Sequence, residues 1–427
     1  MAALVIFGSL VISLLLTVPV GFSLGAATLA SILYTKQLTF GFIAQNMVTA
    51  ADSFPIMAIP FFVFAGELMG GGGISKRLLD VANVFFGRVT GGLAIVTVVV
   101  CMFFAAISGS GPATVAAVGG MVVPTMLKKG YDKKFVLALI AAAGSIGVII
   151  PPSIPMVVYS VTTNSSVSKL FMAGFLPGIL IGLGLIAYAY YFAKSHGYQG
   201  DTEPFSWRRA GRESWDGKWA LISPVIILGG IYGGIFTPTE AAAVSVIYSM
   251  IVGVFIYKEL DLKGLLNVTK TACETTASIL IVIGCAASFS KVITLARIPM
   301  MVATGLTSLT SNKIIILLLI NVVLLLVGCF METLCAIMIL APIFLPVITA
   351  LGVNVTHFGI IMVVNLAIGF ITPPLGVNLF VASRVGETSL DDVIKGIIPF
   401  LFIMIGILLL LTFIPAISMV LPDILTK

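Results

Sequence analysis

Two proline pairs, Pro151-Pro152 and Pro373-Pro374, interrupt runs of residues that are otherwise apolar enough to lie in a membrane. Proline has no N–H to give, so a helix that meets a pair of them leaves carbonyls of its preceding turn without partners. Such oxygens are hard ligands suited to a desolvated Na⁺. On this reading the carbonyls of Ser108, Gly147, Ile150 and Pro152 form one cation site. Symmetry proposes a second set, Phe330, Gly369, Thr372 and Pro374, with Gly328 nearby. Two or more Na⁺ ions are expected as coupling ions, and no organic cofactor. Half-helices opening at Ser110, Ser153, Thr333 and Gly376 would turn free N–H groups and a positive dipole end toward an anion, helped by Thr114 and Asn378. No arginine lies in these tips, so a substrate carboxylate would be held by dipoles, hydroxyls and bound sodium rather than by a guanidinium fork.

Acidic residues inside apolar spans are costly enough to read as functional. Asp52, Glu67, Glu240, Glu274 and Glu332 qualify, and Glu332, in a polar interruption, is the strongest candidate. Asp52 and Glu274 stand where crossings begin, so each is either a substrate-side residue or a helix-start cap. Glu240 follows Thr237-Pro238-Thr239, a pattern that suits a cap at least as well as transport. Gly109-Ser110-Gly111 lacks the Lys-Ser/Thr of a phosphate loop, and no Ser/His/Asp or Cys/His set offers nucleophilic catalysis, so an enzyme is not expected.

These residues need elements that bring them together at membrane depth. Ile107 to Thr114 is a polar, glycine-rich break between Gly91–Ala106 and Val115–Leu127, each shorter than the roughly 20 residues an ordinary crossing takes. Two such half-helices make a re-entrant hairpin, with Ser110 as a cap and Pro112 in the first turn; the alternative is a kinked crossing. Sliding the chain by 222 positions places Pro124 on Pro346, Gly130 on Gly352, Gly147 on Gly369 and Pro151-Pro152 on Pro373-Pro374 without a gap. Asp52-Ser53 falls on Glu274-Thr275 at the same offset. Internal duplication of this kind marks secondary transporters. Residues 1–218 thus form one copy, with a hairpin over 91–127 and a broken helix over 135–163. Residues 219–427 form the other, with a hairpin over 313–349 and a broken helix over 357–384.

The remaining segments follow the same order in both copies. Kinked pairs occupy the first 35 residues and Trp219–Tyr257, followed by interfacial stretches at Thr39–Ala50 and Leu260–Lys270. Crossings come next, from Asp52 to about Met69 and from Cys273 to about Ser290, and then arms at Ile74–Gly87 and Val292–Leu309. An uninterrupted span at Val167–Ala193 closes the first copy and a last span at Ile397–Leu421 the second; the polar Lys194–Lys218, carrying Asp201, Glu203 and Pro204, joins them.

With 59% hydrophobic and 9% charged residues and a mean hydropathy of +1.18, the 427 residues make an all-α polytopic membrane protein, not a soluble globule. The +6 charge sits in short loops and implies no nucleic-acid partner. Five scattered cysteines read as packing residues, and two histidines offer no zinc site. The loop after the first hairpin holds four lysines, whereas its counterpart, Ala350–His357, holds none. Putting the first mouth in the cytoplasm divides the Lys and Arg residues 17 inside to 6 outside, the latter including Lys36 and Lys427. The copies are then antiparallel, with both chain ends outside.

Five motifs in order, Gly109-Ser-Gly-Pro-Ala-Thr114, Ile150-Pro-Pro-Ser-Ile-Pro155, Thr237-Pro-Thr-Glu-Ala241, Gly328-Cys-Phe-Met-Glu332 and Thr372-Pro-Pro-Leu-Gly-Val-Asn378, resemble the large membrane subunit of TRAP transporters, the DctM/SiaM type, over essentially the whole chain. The resemblance implies an elevator-type importer of the ion-transporter superfamily in the bacterial inner membrane. In it the hairpins and broken helices slide against a scaffold of the remaining spans and arms. It also implies Na⁺ coupling, a separate small four-helix membrane subunit, a periplasmic substrate-binding protein, and an organic acid, sialic acid first on overall likeness, then a C4-dicarboxylate. The family commonly has Asp where this chain has Glu332. The competing expectation is a stand-alone sodium- or proton-coupled carboxylate carrier; a membrane-embedded enzyme ranks far behind, and paired broken-helix sites argue against a passive channel.

Overall fold

The computed structural model describes residues 2–35, 38–201, 205–310 and 312–426, and among them the regular structure is entirely helical. Lys36, Glu203, Pro204 and Lys427 fall outside the described residues. The first half begins with a helical hairpin of α1 (Ala2–Leu15) and α2 (Val20–Thr35), then α3 (Phe40–Ala51), α4 (Ala58–Gly71) and α5 (Ile74–Phe86). The paired helices α6 (Gly92–Ser108) and α7 (Gly111–Lys128) follow, then α8 (Lys133–Ser145), α9 (Ile154–Thr163) and the 29-residue α10 (Val167–Ser195). Amphipathic α11 (Trp207–Asp216) lies on α5 and leads to the second half. There α12 (Lys218–Tyr232) and α13 (Pro238–Met250), the latter ending in a π-helical turn at Ile251–Ile256, precede α14 (Leu262–Leu295) and α15 (Ile298–Leu309). The chain closes with α16 (Lys313–Phe330), α17 (Thr333–Ala350), α18 (Val355–Gly369), α19 (Val377–Val385), α20 (Leu390–Phe413) and α21 (Ala416–Leu425).

Among the described residues, six helices are long and apolar enough to cross a bilayer: α10, α13 with its π turn, α14, α16, α17 and α20. A seventh span arises if α4 and α5, bent by 65° at the Gly72-Gly73 joint, count as one. The helix ends follow local chemistry. Asp132 accepts the Phe135 N–H at 2.9 Å to start α8, and Ser153 and Ser166 cap α9 and α10. At α13, Thr237 and Glu240 form a reciprocal capping box, which settles Glu240 as a cap.

Three expectations are corrected. Asp52 does not start a crossing: it follows the last residue of α3, its N–H donating to Val48 O at 2.9 Å, and α4 begins six residues later. Glu274, its counterpart by sequence offset, lies within the continuous 34-residue α14, which merges the expected interfacial stretch and crossing and extends into the expected arm. No proline divides that segment, and an exposed Lys270–Glu274 pair at 3.8 Å spans one of its turns. The last span is not continuous either, because Ile414-Pro415 separates α20 from α21.

The segment between the halves is stitched to the base of the α6–α7 pair. Tyr198 stacks on Tyr131 with centroids 4.3 Å apart, its hydroxyl accepts the Asp132 N–H at 3.0 Å, and its carbonyl accepts the Gly91 N–H at 3.1 Å. Asp201 pairs with Lys129, and its N–H donates to Gly87 O at 2.9 Å.

Glycines let α16 meet α18. A Cβ on Gly369 would lie 2.5 Å from the Gly328 carbonyl carbon and oxygen, so the two backbones touch with nothing between them. Gly369→Ala should therefore lower the thermal midpoint of the purified protein, by an overpacking cost of about 1–3 kcal/mol. Gly8→Ala, with no atom within 4 Å of the new methyl, should not, and equal midpoints for both variants would contradict this packing.

Candidate functional site

The tip between α6 and α7 sits against both proline breaks. Gly109 turns the chain at φ +63°, and a Cβ there would come 2.8 Å from Pro152 O. A Cβ on Gly147 would come 2.6 Å from both Ser110 O and Thr114 Oγ1. Ser108, Ser110, Thr114, Gly147 and Pro152 are thus brought together. Thr114 Oγ1 donates to Ser110 O at 2.7 Å and lies 3.2 Å from Ser108 Oγ. Gly147 O has no α-helical donor, because the residue four positions on is Pro151. Carbonyl and hydroxyl oxygens so gathered form a donor set that fits a hard monovalent cation. Ile150 is buried in the same turn, with its side chain against Gly178 of α10. Ser110 precedes α7 in extended conformation but forms no side-chain cap, contrary to expectation; its carbonyl serves the Thr114 N–H and hydroxyl instead.

The second break is not a copy of the first. Val148 O accepts the Ser153 hydroxyl at 2.6 Å, whereas at the matching position Phe370 O accepts the Asn378 N–H at 3.0 Å. Gly369 O accepts the Thr372 N–H at 3.2 Å, and Thr372 Oγ1 donates to Ile368 O at 2.7 Å. Pro152 is buried and Pro374 exposed; Phe330, expected to lend a carbonyl, is also exposed. Gly376 precedes α19, and next to it the breaks join. Asn378, fully buried, donates from Nδ2 to Ala141 O and Ser145 Oγ of α8, both at 3.1 Å. A Cβ on Gly111 would meet its Oδ1 at 3.3 Å and the Phe370 ring at 3.1 Å. Asn378 therefore ties α19 to α8 under the α6–α7 tip.

At the other tip, Glu332 Oε2 accepts the N–H groups of Leu334 at 2.9 Å and Cys335 at 3.2 Å, so its carboxylate closes the start of α17. Thr333 is buried with its hydroxyl unpaired among the described residues.

Between the first tip and α4, α5 and α14 lies a cavity of about 670 Å³. Ser108, Ser110 and Ile154 line it on the tip side, and Glu67, Ser75, Lys76, Glu259 and Thr275 on the other. Ser153, Thr333, Glu332, Asn378 and Asp52 do not line it. Ser75, Lys76 and Glu259 were not expected in this wall; the available signal was Lys76 three residues after the Gly70–Gly73 joint.

Residues 7–417 match the family described as the tripartite ATP-independent periplasmic transporter, DctM component. The chain is 49% identical over 415 residues to an isethionate TRAP transporter permease protein, DctMQ, of Oleidesulfovibrio alaskensis, covering 97% of itself and 65% of that relative's length. It is 42% identical to the C4-dicarboxylate TRAP transporter large permease protein DctM of Pseudomonas aeruginosa, covering 94% of each, and 36% identical to the sialic acid TRAP transporter large permease protein SiaM of Vibrio cholerae, covering 95% of each. Among solved structures, the YdaH transporter of Alcanivorax borkumensis shares the fold at a TM-score of 0.65 and 16% identity, over 90% of this chain and 88% of that one.

Glu332→Ala should lower the thermal midpoint, since losing a helix-start acceptor costs about 1 kcal/mol, and Glu332→Asn should recover most of that loss. Equal midpoints for wild type and Glu332→Ala would remove the capping role.

Proposed function

Because the chain belongs to the DctM component family of tripartite ATP-independent periplasmic transporters, and is a multi-pass permease rather than an enzyme, we propose that it imports organic acid anions with Na⁺. The observation that carries this is the meeting of the α6–α7 tip with both proline breaks, beside a cavity that the same tip lines. One coupling ion is held by oxygens around Ser108, Ser110, Thr114, Gly147, Ile150 and Pro152. The second lies by Gly328, Phe330, Gly369, Thr372 and Pro374, with Glu332 and Thr333 close in sequence. The substrate anion enters the cavity at Ser108 and Ser110, where the start of α7 and the bound cation favour negative charge.

The halves act as inverted repeats in which α6–α7 and α16–α17 are re-entrant hairpins. Together with the broken helices they move as one body against a scaffold that includes α4, α5 and α14. A small membrane subunit enlarges the scaffold, and a periplasmic binding protein delivers the substrate. The order of similarity favours a small anion, isethionate or a C4-dicarboxylate, with sialic acid next.

Uptake into proteoliposomes tests this with labelled isethionate, succinate and sialic acid. Uptake of at least one should require an inward Na⁺ gradient, the small subunit and the loaded binding protein together. Uptake by this chain alone would favour a stand-alone carrier, and Na⁺-independent uptake would overturn the coupling. Glu332→Ala and Glu332→Asn should both lose uptake if the carboxylate's charge takes part in the cycle. Activity restored by Asn would leave Glu332 a cap alone.

A further inference from the structure

The cavity has a second polar end, remote in sequence from the α6–α7 tip. Gly73, at φ +76°, turns the chain directly into α5, and no side chain caps that helix. A helix start leaves N–H groups without intrahelical partners and carries partial positive charge. Ser75, in this first turn, lines the cavity and is 3% exposed, and its hydroxyl has no hydrogen-bond partner. A buried hydroxyl left unpaired is costly and calls for a partner. Lys76 is the only basic side chain lining the cavity among the described residues.

Two carboxylates share this cavity, Glu67 on α4 and Glu259 over Gly73. Glu259 is neutralised locally. Its Oε1 accepts from Arg77 Nη1 at 2.7 Å, and the same guanidinium donates to Gly73 O at 2.9 Å and lies 3.6 Å from the Tyr257 ring centroid. Lys76 and Glu259 also line a neighbouring polar crevice of about 400 Å³.

From this arrangement we infer that the start of α5 is an anion subsite, in which the Ser75 hydroxyl, the first-turn N–H groups and Lys76 receive the end of the substrate remote from Ser108 and Ser110. The ligand class is a small organic acid with an acceptor head at each end, such as a dicarboxylate or a hydroxylated sulfonate. The inference rests on the organic-anion reading above and adds Ser75 and Lys76 as residues that set specificity.

The test measures binding to the purified full chain in sodium buffer, using two-headed succinate and isethionate beside one-headed butyrate and ethanesulfonate. Wild type should bind a two-headed acid about tenfold more tightly than its one-headed analogue, the factor a single additional hydrogen bond to a charged group supplies. Ser75→Ala and Lys76→Gln should remove most of that gap while leaving the one-headed acids unchanged, and Lys76→Arg should restore it. Ser75→Ala should unfold at no lower temperature than wild type, because the hydroxyl it removes makes no bond. Equal weakening of both acid types, or no weakening, would overturn the subsite and leave the transport reading standing. Failure of wild type to bind any of these four acids or sialic acid would overturn both, and binding of sialic acid alone would overturn the subsite.

Discussion

Inside a bilayer no water completes a broken hydrogen-bond ladder, so backbone at membrane depth must be paired, packed or bound to something. The two proline pairs break that rule in α8–α9 and α18–α19, and much of the surrounding structure answers them. The Ser153 hydroxyl and the Asn378 N–H reach back to the carbonyls of Val148 and Phe370, equivalent positions served by different donors. Gly109, Gly111 and Gly147 have no Cβ because the α6–α7 tip and the breaks approach within contact of one another's backbone. Around Ser110, Thr114 and Pro152 several carbonyl and hydroxyl oxygens gather beside the tip.

The two halves repair their breaks unequally. Around Pro152 the joint is enclosed, with Gly109 and Gly147 pressed against neighbouring oxygens. Around Pro374 the joint is exposed, and Gly369 O already takes the Thr372 N–H. A sequence offset can align proline with proline but cannot say which carbonyl is used up locally, since that depends on the backbone path after the break. The Asn378 bridge to α8 supplies what the alignment could not: a direct link between the halves.

Features punctuated by glycine and proline were legible in the sequence: α6 and α7, α16 and α17, and both breaks fall within a few residues of expectation. Features that depend on helix continuity were not. Asp52 and Glu274 align well, yet one trails a short helix and the other lies inside a long one, because nothing in α14 interrupts an apolar run that an amphipathic stretch precedes. Lys76 read as part of a surface-lying arm, because periodicity shows which face of α5 is polar but not that its first turn meets a cavity. Ser110 had the residue type of a cap, but its hydroxyl makes no bond to the helix it precedes.

Tyr198 and Asp201 give the connecting segment an allegiance. Both belong by sequence to the polar stretch between the halves, yet their contacts run back to Gly87, Gly91, Lys129, Tyr131 and Asp132. A gene cut into two cistrons upstream of Tyr198 would send these fasteners away with the wrong polypeptide, whereas a cut beyond Asp201 would leave the first product able to close its own base. Because α11 also lies on α5, the allegiance of the connecting segment to the first half reaches past Asp201 as far as α11.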